Sequence, residues 1–475
     1  MKRHTNFAIT GGKLKMKNED KLLELASEKF GELTEAEKKL FAATANGELA
    51  DYSSEKEEDN DPASAKNWDD SRTLKADHIA WLCTDKQASE LITRKGIQIA
   101  GARIDGELDL AFAIISFPFY LEKCFIAEEM DLNYCELRAL NLIGTHTGSI
   151  FADGLRVSGC VFLRDGFKSE GEVRLPNAKI GGNLECDSSQ FTNPEGCAIR
   201  ADLIKVAGGV YLRNHFNAKG EVSLIEAEIG ESLDCSSGYF INPNSKGKAI
   251  SADGLKVTGG VFLGDGFESK GEVRLVGAEI GGSLECDSSQ FTNPKGIALN
   301  AGALKVTGGV YLRNNFNAKG EVRFPGAEIG GDLDCSCGQF INLNGDSITA
   351  ELLKVKGNVY FCKEFETQGI VYFNGAVIDG IFIWIDVKSP SKSKLDLRYA
   401  KIGTLWDDKQ SWPDKGKIHL DGFVYNGIFE KAPLYPDARI EWLRRQPEGR
   451  FYPQPYEQLA EVYKKAGVQK TQRKS

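Results

Sequence analysis

The stretch AEIGGSLECDSSQF, residues 278–291, combines a glycine pair, a single cysteine and a run of small polar residues, a mixture that in isolation suits a metal or phosphate site. It is not isolated. AKIGGNLECDSSQF begins at residue 178, AEIGESLDCSSGYF at 227 and AEIGGDLDCSCGQF at 327. Recurrence at a fixed period marks a repeat architecture, so the words are read first as pieces of a wall.

The valine that opens each V-x-G-x-V phrase falls at Val157, Val206, Val257, Val306 and Val355, in steps of 49, 51, 49 and 49. Alternate copies match best, VFLRDGF at 161 with VFLGDGF at 261 and VYLRNHF at 210 with VYLRNNF at 310, which implies duplication of a 100-residue unit. Each 50 holds four apolar-x-apolar triplets, such as Val310-Tyr-Leu312, Val322-Arg-Phe324, Leu333-Asp-Cys335 and Ile348-Thr-Ala350. Period-2 alternation makes each a short strand with its outer residues inward and its middle residue outward. Glycine pairs such as Gly330-Gly331 are expected to supply φ > 0 at the corners. One turn then takes ~23 to 26 residues, two turns per repeat.

This pattern resembles right-handed, four-sided parallel β-helices of the pentapeptide-repeat kind. GIQIAGARIDGELDL at 96, ADGLKVTGGVFL at 252, GAEIGGDLDC at 326 and QPYEQLAEVYKKAG at 454 are similar to a group of bacterial repeat proteins catalogued as membrane-associated oxidoreductases, often with C-terminal membrane helices. The similarity covers about residues 67 to 467. It implies a mainly β fold, a right-handed parallel β-helix over residues 96–430 with about 13 or 14 coils and a length of roughly 65 Å. Residues 1–47 are expected as a helical pair with a Thr34 to Glu37 capping box, and 48–66 as a flexible acidic linker. Residues 67–95 read as a helical cap with a Thr84 to Gln87 box, in which Ile79, Leu82, Leu91 and Ile92 seal the first coil. Residues 431–475 read as two short helices after Pro436 and Pro455 with a basic tail.

Cys186, Cys235, Cys286 and Cys335 occupy equivalent inward positions with leucines between them. Two coil rises separate neighbouring thiols by ~9.6 Å, beyond the ~7 Å Cα reach of a disulfide and far from the ~2.3 Å of a zinc–sulfur bond. They are assigned to a structural core column. No glycine pair extends to a nucleotide-binding fingerprint, and the five histidines fall in different segments without H-E-x-x-H or a nucleophile elbow. No catalytic, cofactor-binding or metal residue is therefore assigned, and no cofactor is expected. The middle residues of one triplet column, Phe162, Glu185, Tyr211, Asp234, Phe262, Glu285, Tyr311, Asp334 and Tyr360, form a candidate interaction stripe of alternating aromatic and acid. Its plainer explanation is strand preference plus solubility. FTNPEG at 191, FINPNSKG at 240, FTNPKG at 291 and FINLNGD at 340 are expected as corner loops stacked into a ridge.

A formal charge of −9 and a pI near 5.4 disfavour direct nucleic-acid binding. The longest apolar run is too short to span a bilayer, and the eleven cysteines suit a reduced compartment. The expectation is a cytoplasmic, non-enzymatic scaffold that presents ladders and loops to an unknown macromolecule, a protein in preference to a glycan. The basic C-terminus, nine Lys or Arg against four acids over residues 438–475, would supply peripheral inner-membrane contact. The alternatives are a DNA-mimicking inhibitor of a DNA-binding enzyme and a carbohydrate-active or membrane-associated redox protein. Mimicry needs a dense acidic face, whereas residues 157–356 carry 20 basic and 25 acidic side chains.

Overall fold

The computed structural model describes residues 7–10, 13–242, 244, 247–449 and 451–466, with backbone only at 7–10, 13–15 and 344. The chain forms two compact units, residues 1–223 and 224–475. Both are wound as parallel β-solenoid, about 14 turns in all, with helices at the two termini.

In the first unit one turn runs through Arg156–Val157, Val161–Phe162, Lys168–Glu170 and Val173–Arg174, and the next begins at Lys179–Ile180. The first two strands of a turn join one sheet and the last two the other. Successive turns pair in parallel, with Val157 opposite Ile180 and Phe162 opposite Glu185. The second unit repeats this, with Val306 opposite Ile329 and Tyr311 opposite Asp334. Alternation does what the triplets require: Val310 and Leu312 are fully buried while Tyr311 between them is half-exposed. Phenylalanines stack through each interior at one-turn intervals, Phe167–Phe191–Phe216 in the first unit and Phe267–Phe291–Phe316–Phe340 in the second, with centroids 5.1–5.4 Å apart.

The glycine pairs have a different cause from the one expected. Gly281, Gly282, Gly330 and Gly331 do not adopt positive φ. Positive φ is found at other corners, among them Ser288 at φ 56° and Ala303 at φ 51°. The pairs are needed for clearance: a Cβ on Gly281 would lie 2.2 Å from Thr258 O, and one on Gly330 2.2 Å from Thr307 O. Adjacent turns cross there backbone to backbone.

Three of the four segments expected as corner loops are strands instead. Residues Gln190–Arg200, Gln290–Asn300 and Gln339–Thr349 are continuous strands that slip register against the next turn. The asparagine closes each bulge by donating Nδ2 to a carbonyl four residues on, Asn193 to Cys197 at 2.8 Å, Asn293 to Ile297 at 2.9 Å and Asn342 to Asp346 at 2.8 Å. The next turn answers with a glycine in left-handed backbone. Gly320, at φ 123°, has no room for a side chain, since a Cβ would lie 2.3 Å from Asn293 O. In FINPNSKG, residues 243, 245 and 246 lie outside the described residues.

At the N-terminal end, helix α1 (Asn18–Phe30) and helix α2 (Glu35–Asn46) pack as a pair, and Thr34 and Glu37 form the capping box. Residues 48–66 are structured where a flexible linker was expected. Ala50–Asp51 pairs in parallel with Ile99–Ala100, Tyr52 donates its hydroxyl to Ala36 O at 2.7 Å, and Pro62 and Ala65 are buried. The apolar minority of that segment outweighs its charge. Helix α3 (Ala76–Thr84) and helix α4 (Lys86–Ser89) follow, with Ile79 and Leu82 fully buried and Leu91 and Ile92 half-buried. The cap of α4 is Asp85, which accepts from Gln87 N and Ala88 N, and not Thr84. Thr84 sits inside the preceding helix and donates to Ala80 O at 2.8 Å.

Between α2 and α3, His78 Nδ1 lies 3.0 Å from Glu37 Oε1, both nearly inaccessible, and the Phe30 ring covers the imidazole at 4.0 Å. Burial holds His78 below the ordinary histidine value against the opposing pull of Glu37. Burial likewise lowers His146 and His419. A depressed folded value means that the unfolded chain binds more protons, so stability falls as pH drops below the unfolded histidine value near 6.5. Urea midpoints at pH 7.5 and 5.5 should therefore differ, the acidic one being lower, and His78→Gln should reduce that difference.

At the C-terminal end, helix α5 (Pro436–Leu443) and helix α6 (Gln454–Lys465) each carry proline in the first turn. Residues 467–475, the end of the basic tail, lie outside the described residues. Among the described residues no helix is long and apolar enough to cross a membrane.

Candidate functional site

The stripe residues lie on the outward side of the second strand of each turn. In the first unit Phe162, Glu185 and Tyr211 are consecutive register partners. In the second the order is Asp234, Phe262, Glu285, Tyr311, Asp334 and Tyr360. The residue after each is inward, so Cys186, Cys235, Cys286 and Cys335 are at most 1% exposed, with Leu263 and Leu312 between the three of the second unit. Burial raises all four thiols well above the ordinary cysteine value, which removes thiolate character. The glycine-pair amides are occupied as well. Gly281 N–H reaches Val257 O and Gly282 N–H reaches Gly259 O, both at 2.8 Å, leaving no anion nest at that pair.

The stripe holds arginines that sequence reasoning left out. Arg164, Arg213 and Arg313 follow the inward leucine and fold back over the preceding ring, at 4.7 Å from Phe162, 4.4 Å from Tyr211 and 4.4 Å from Tyr311. The rings of Tyr211 and Tyr311 also lie close over Gly209 and Gly309, where a Cβ would sit 2.6 Å from the phenol. Glycine, ring and guanidinium thus form a layered unit. Each guanidinium also binds acids: Arg164 reaches Glu185 at 2.8 Å and Asp165 at 3.5 Å, Arg213 reaches Asp187 at 3.2 Å, and Arg313 reaches Asp287 at 2.8 Å and Asp334 at 3.4 Å. The hydrogen bond to Asp287 raises Arg313 above its ordinary value, fixing its charge. At the same position the remaining copies have Gly264 and Cys362; the latter thiol lies 3.2 Å from Ser336 Oγ, and Tyr360 Oη accepts from Asn358 Nδ2 at 3.0 Å. The sequence signal was the arginine that ends Phe-Leu-Arg and Tyr-Leu-Arg.

A second feature, in the second unit, was not visible in the sequence. The next turn passes the corner of the 342–346 bulge with Gly369 alone, whereas the turn after it carries the longer segment 389–392, and the step between them is an open groove of about 700 Å³. Leu343, 75% exposed, and Ile370 border it together with Lys392, Lys394 and Lys417. Lys417 is engaged by Asp414 at 3.3 Å and by the Ser391 carbonyl. The groove comes from a difference in length between turns, which the pattern of any one strand does not contain.

Comparison with protein-family models, with curated proteins and with solved structures finds no match to this chain.

Proposed function

We propose that the chain is a non-enzymatic scaffold of the pentapeptide-repeat-like, four-sided β-helix kind, and that the arginine-layered stripe segment of each unit docks protein. The observation that carries this is the layering itself. Arg164, Arg213 and Arg313 are held by ring and carboxylate at once. Side chains ordered before binding lose little entropy on docking, and aromatic and arginine residues dominate the energetics of protein interfaces. At Tyr211 and Tyr311 the guanidinium lies over the ring that a sugar would need, which favours protein over glycan. Acids paired within the wall do not form the dense negative face that DNA mimicry requires.

The test presents the immobilised chain to soluble and membrane fractions of a native lysate, beside a variant with Arg164, Arg213 and Arg313 replaced by serine. One defined protein should be held by the native chain and bind the variant at least about tenfold more weakly. Identical retention by both, or recovery of nucleic acid or glycan in place of protein, would overturn the reading.

A further inference from the structure

The duplicated 100-residue unit contains its own control. VFLRD at 161–165 and VFLGD at 261–265 differ at one residue, and the turns that follow them read NLECDSSQF and SLECDSSQF. In the first copy the Arg164 guanidinium lies over Phe162 at 4.7 Å and pairs with Glu185 at 2.8 Å and Asp165 at 3.5 Å. Asn183 Nδ2 also donates to Glu185, at 3.2 Å. The second copy keeps the ring as Phe262 and both acids as Asp265 and Glu285, in the same register, but has Gly264 where the arginine stood. Ser283 replaces the asparagine, and its Oγ accepts from Gly309 N at 3.3 Å. Lys168 is replaced by Glu268, which makes the surroundings more negative. Among the described residues no donor reaches the Glu285 carboxylate and no cation lies over Phe262.

Resting on the scaffold reading above, we propose that Phe262, Asp265 and Glu285 form a receptor for a guanidinium supplied from outside, an arginine side chain of the protein partner. Glycine at 264 supplies no side chain to lie over the ring. The Phe262 ring lies against Gly260, where a Cβ would lie 2.9 Å from its Cζ, and it is half-exposed. A planar fork over a ring with a carboxylate at its edge suits arginine better than lysine, whose ammonium is a compact, strongly hydrated point charge. The first copy shows the geometry: the guanidinium takes the place of Arg164.

The experiment uses the full chain with 4-fluorophenylalanine at position 262, titrated with the peptide acetyl-Gly-Arg-Gly-amide and its lysine counterpart and followed by fluorine NMR. The arginine peptide should give a saturable shift with half-saturation on the order of millimolar, and the lysine peptide a response several-fold weaker. Glu285→Gln should weaken the response about tenfold. Gly264→Arg should abolish it by supplying the group internally. A Cβ at 264 would stand 2.9 Å from Asp287 O, so that variant displaces the backbone of the neighbouring turn, whereas Glu285→Gln displaces nothing. No saturable shift in the native chain, or equal shifts in native and Glu285→Gln chains, would overturn the proposal. The two readings fail separately. A partner captured equally by native and Glu285→Gln chains removes the receptor and leaves the scaffold. A saturable peptide shift with no captured protein removes the scaffold and leaves a guanidinium site.

Discussion

Replacing Arg439 by alanine is expected to cost about 3–5 kcal/mol, the usual effect of removing one partner of a buried ion pair. Arg439 projects from α5 and is fully buried. Its Nη2 and Nη1 grip Asp407 at 2.6 and 2.9 Å, and Nε donates to Pro433 O at 2.7 Å. Asp407 stands in the inward column after Phe361 and Trp384, where every earlier turn of the unit has cysteine or an apolar residue. A carboxylate in that place is tolerated because the helix brings a guanidinium to it and Trp412 Nε1 donates at 2.8 Å. Without Arg439 the charge stays buried with one neutral donor. Urea denaturation should show the loss as a lower midpoint, with hydrogen exchange rising first over residues 401–443. The double change Arg439→Met with Asp407→Leu should recover part of it, because no charge is left buried, although Trp412 Nε1 and Pro433 O lose their partners. If the single change costs under about 1 kcal/mol, the pair is not what fastens α5 to the last turns.

Winding was legible in the sequence because Val310-Tyr-Leu312 and its relatives state both side-chain direction and interval, and those two facts define a solenoid. What a residue does at a corner was less legible. A glycine pair is equally consistent with a left-handed backbone and with a close crossing, and only the 2.2 Å clearance at Gly281 decides for crossing. Asn-Pro reads as a turn because both residues favour turns. In place, the Asn193 side chain bonds back to Cys197 and keeps the strand continuous. Residues 48–66 read as a linker by their charge, although Tyr52, Pro62 and Ala65 sit among those acids and are buried. The stripe was legible as a column of rings and acids. Its chemistry lay one residue further on, in Arg164, Arg213 and Arg313, which an inward–outward pattern treats as the start of a corner.

Phe291→Ala is the second change with a large expected effect, again about 3–5 kcal/mol. The ring is fully buried and lies 5.1 Å from Phe267 and 5.4 Å from Phe316. Its removal opens a cavity and ends two ring–ring contacts at once, each worth about 0.5–1.5 kcal/mol beyond area burial. Stacked turns are hydrogen-bonded above and below, so the walls can close on that cavity only by breaking register pairs such as Phe291 with Ala318. Nearest-neighbour coupling then sets how such losses combine. Phe291→Ala with Phe316→Ala should cost less than the sum of the singles, because the contact between the two rings would otherwise be counted twice. Phe267→Ala with Phe340→Ala, which share no ring neighbour, should add to within about 0.5 kcal/mol. Urea midpoints of the four singles and two doubles measure both. Strict additivity of the adjacent pair would mean that each phenylalanine is held by its own turn alone, and that the stack of rings does not join one turn to the next.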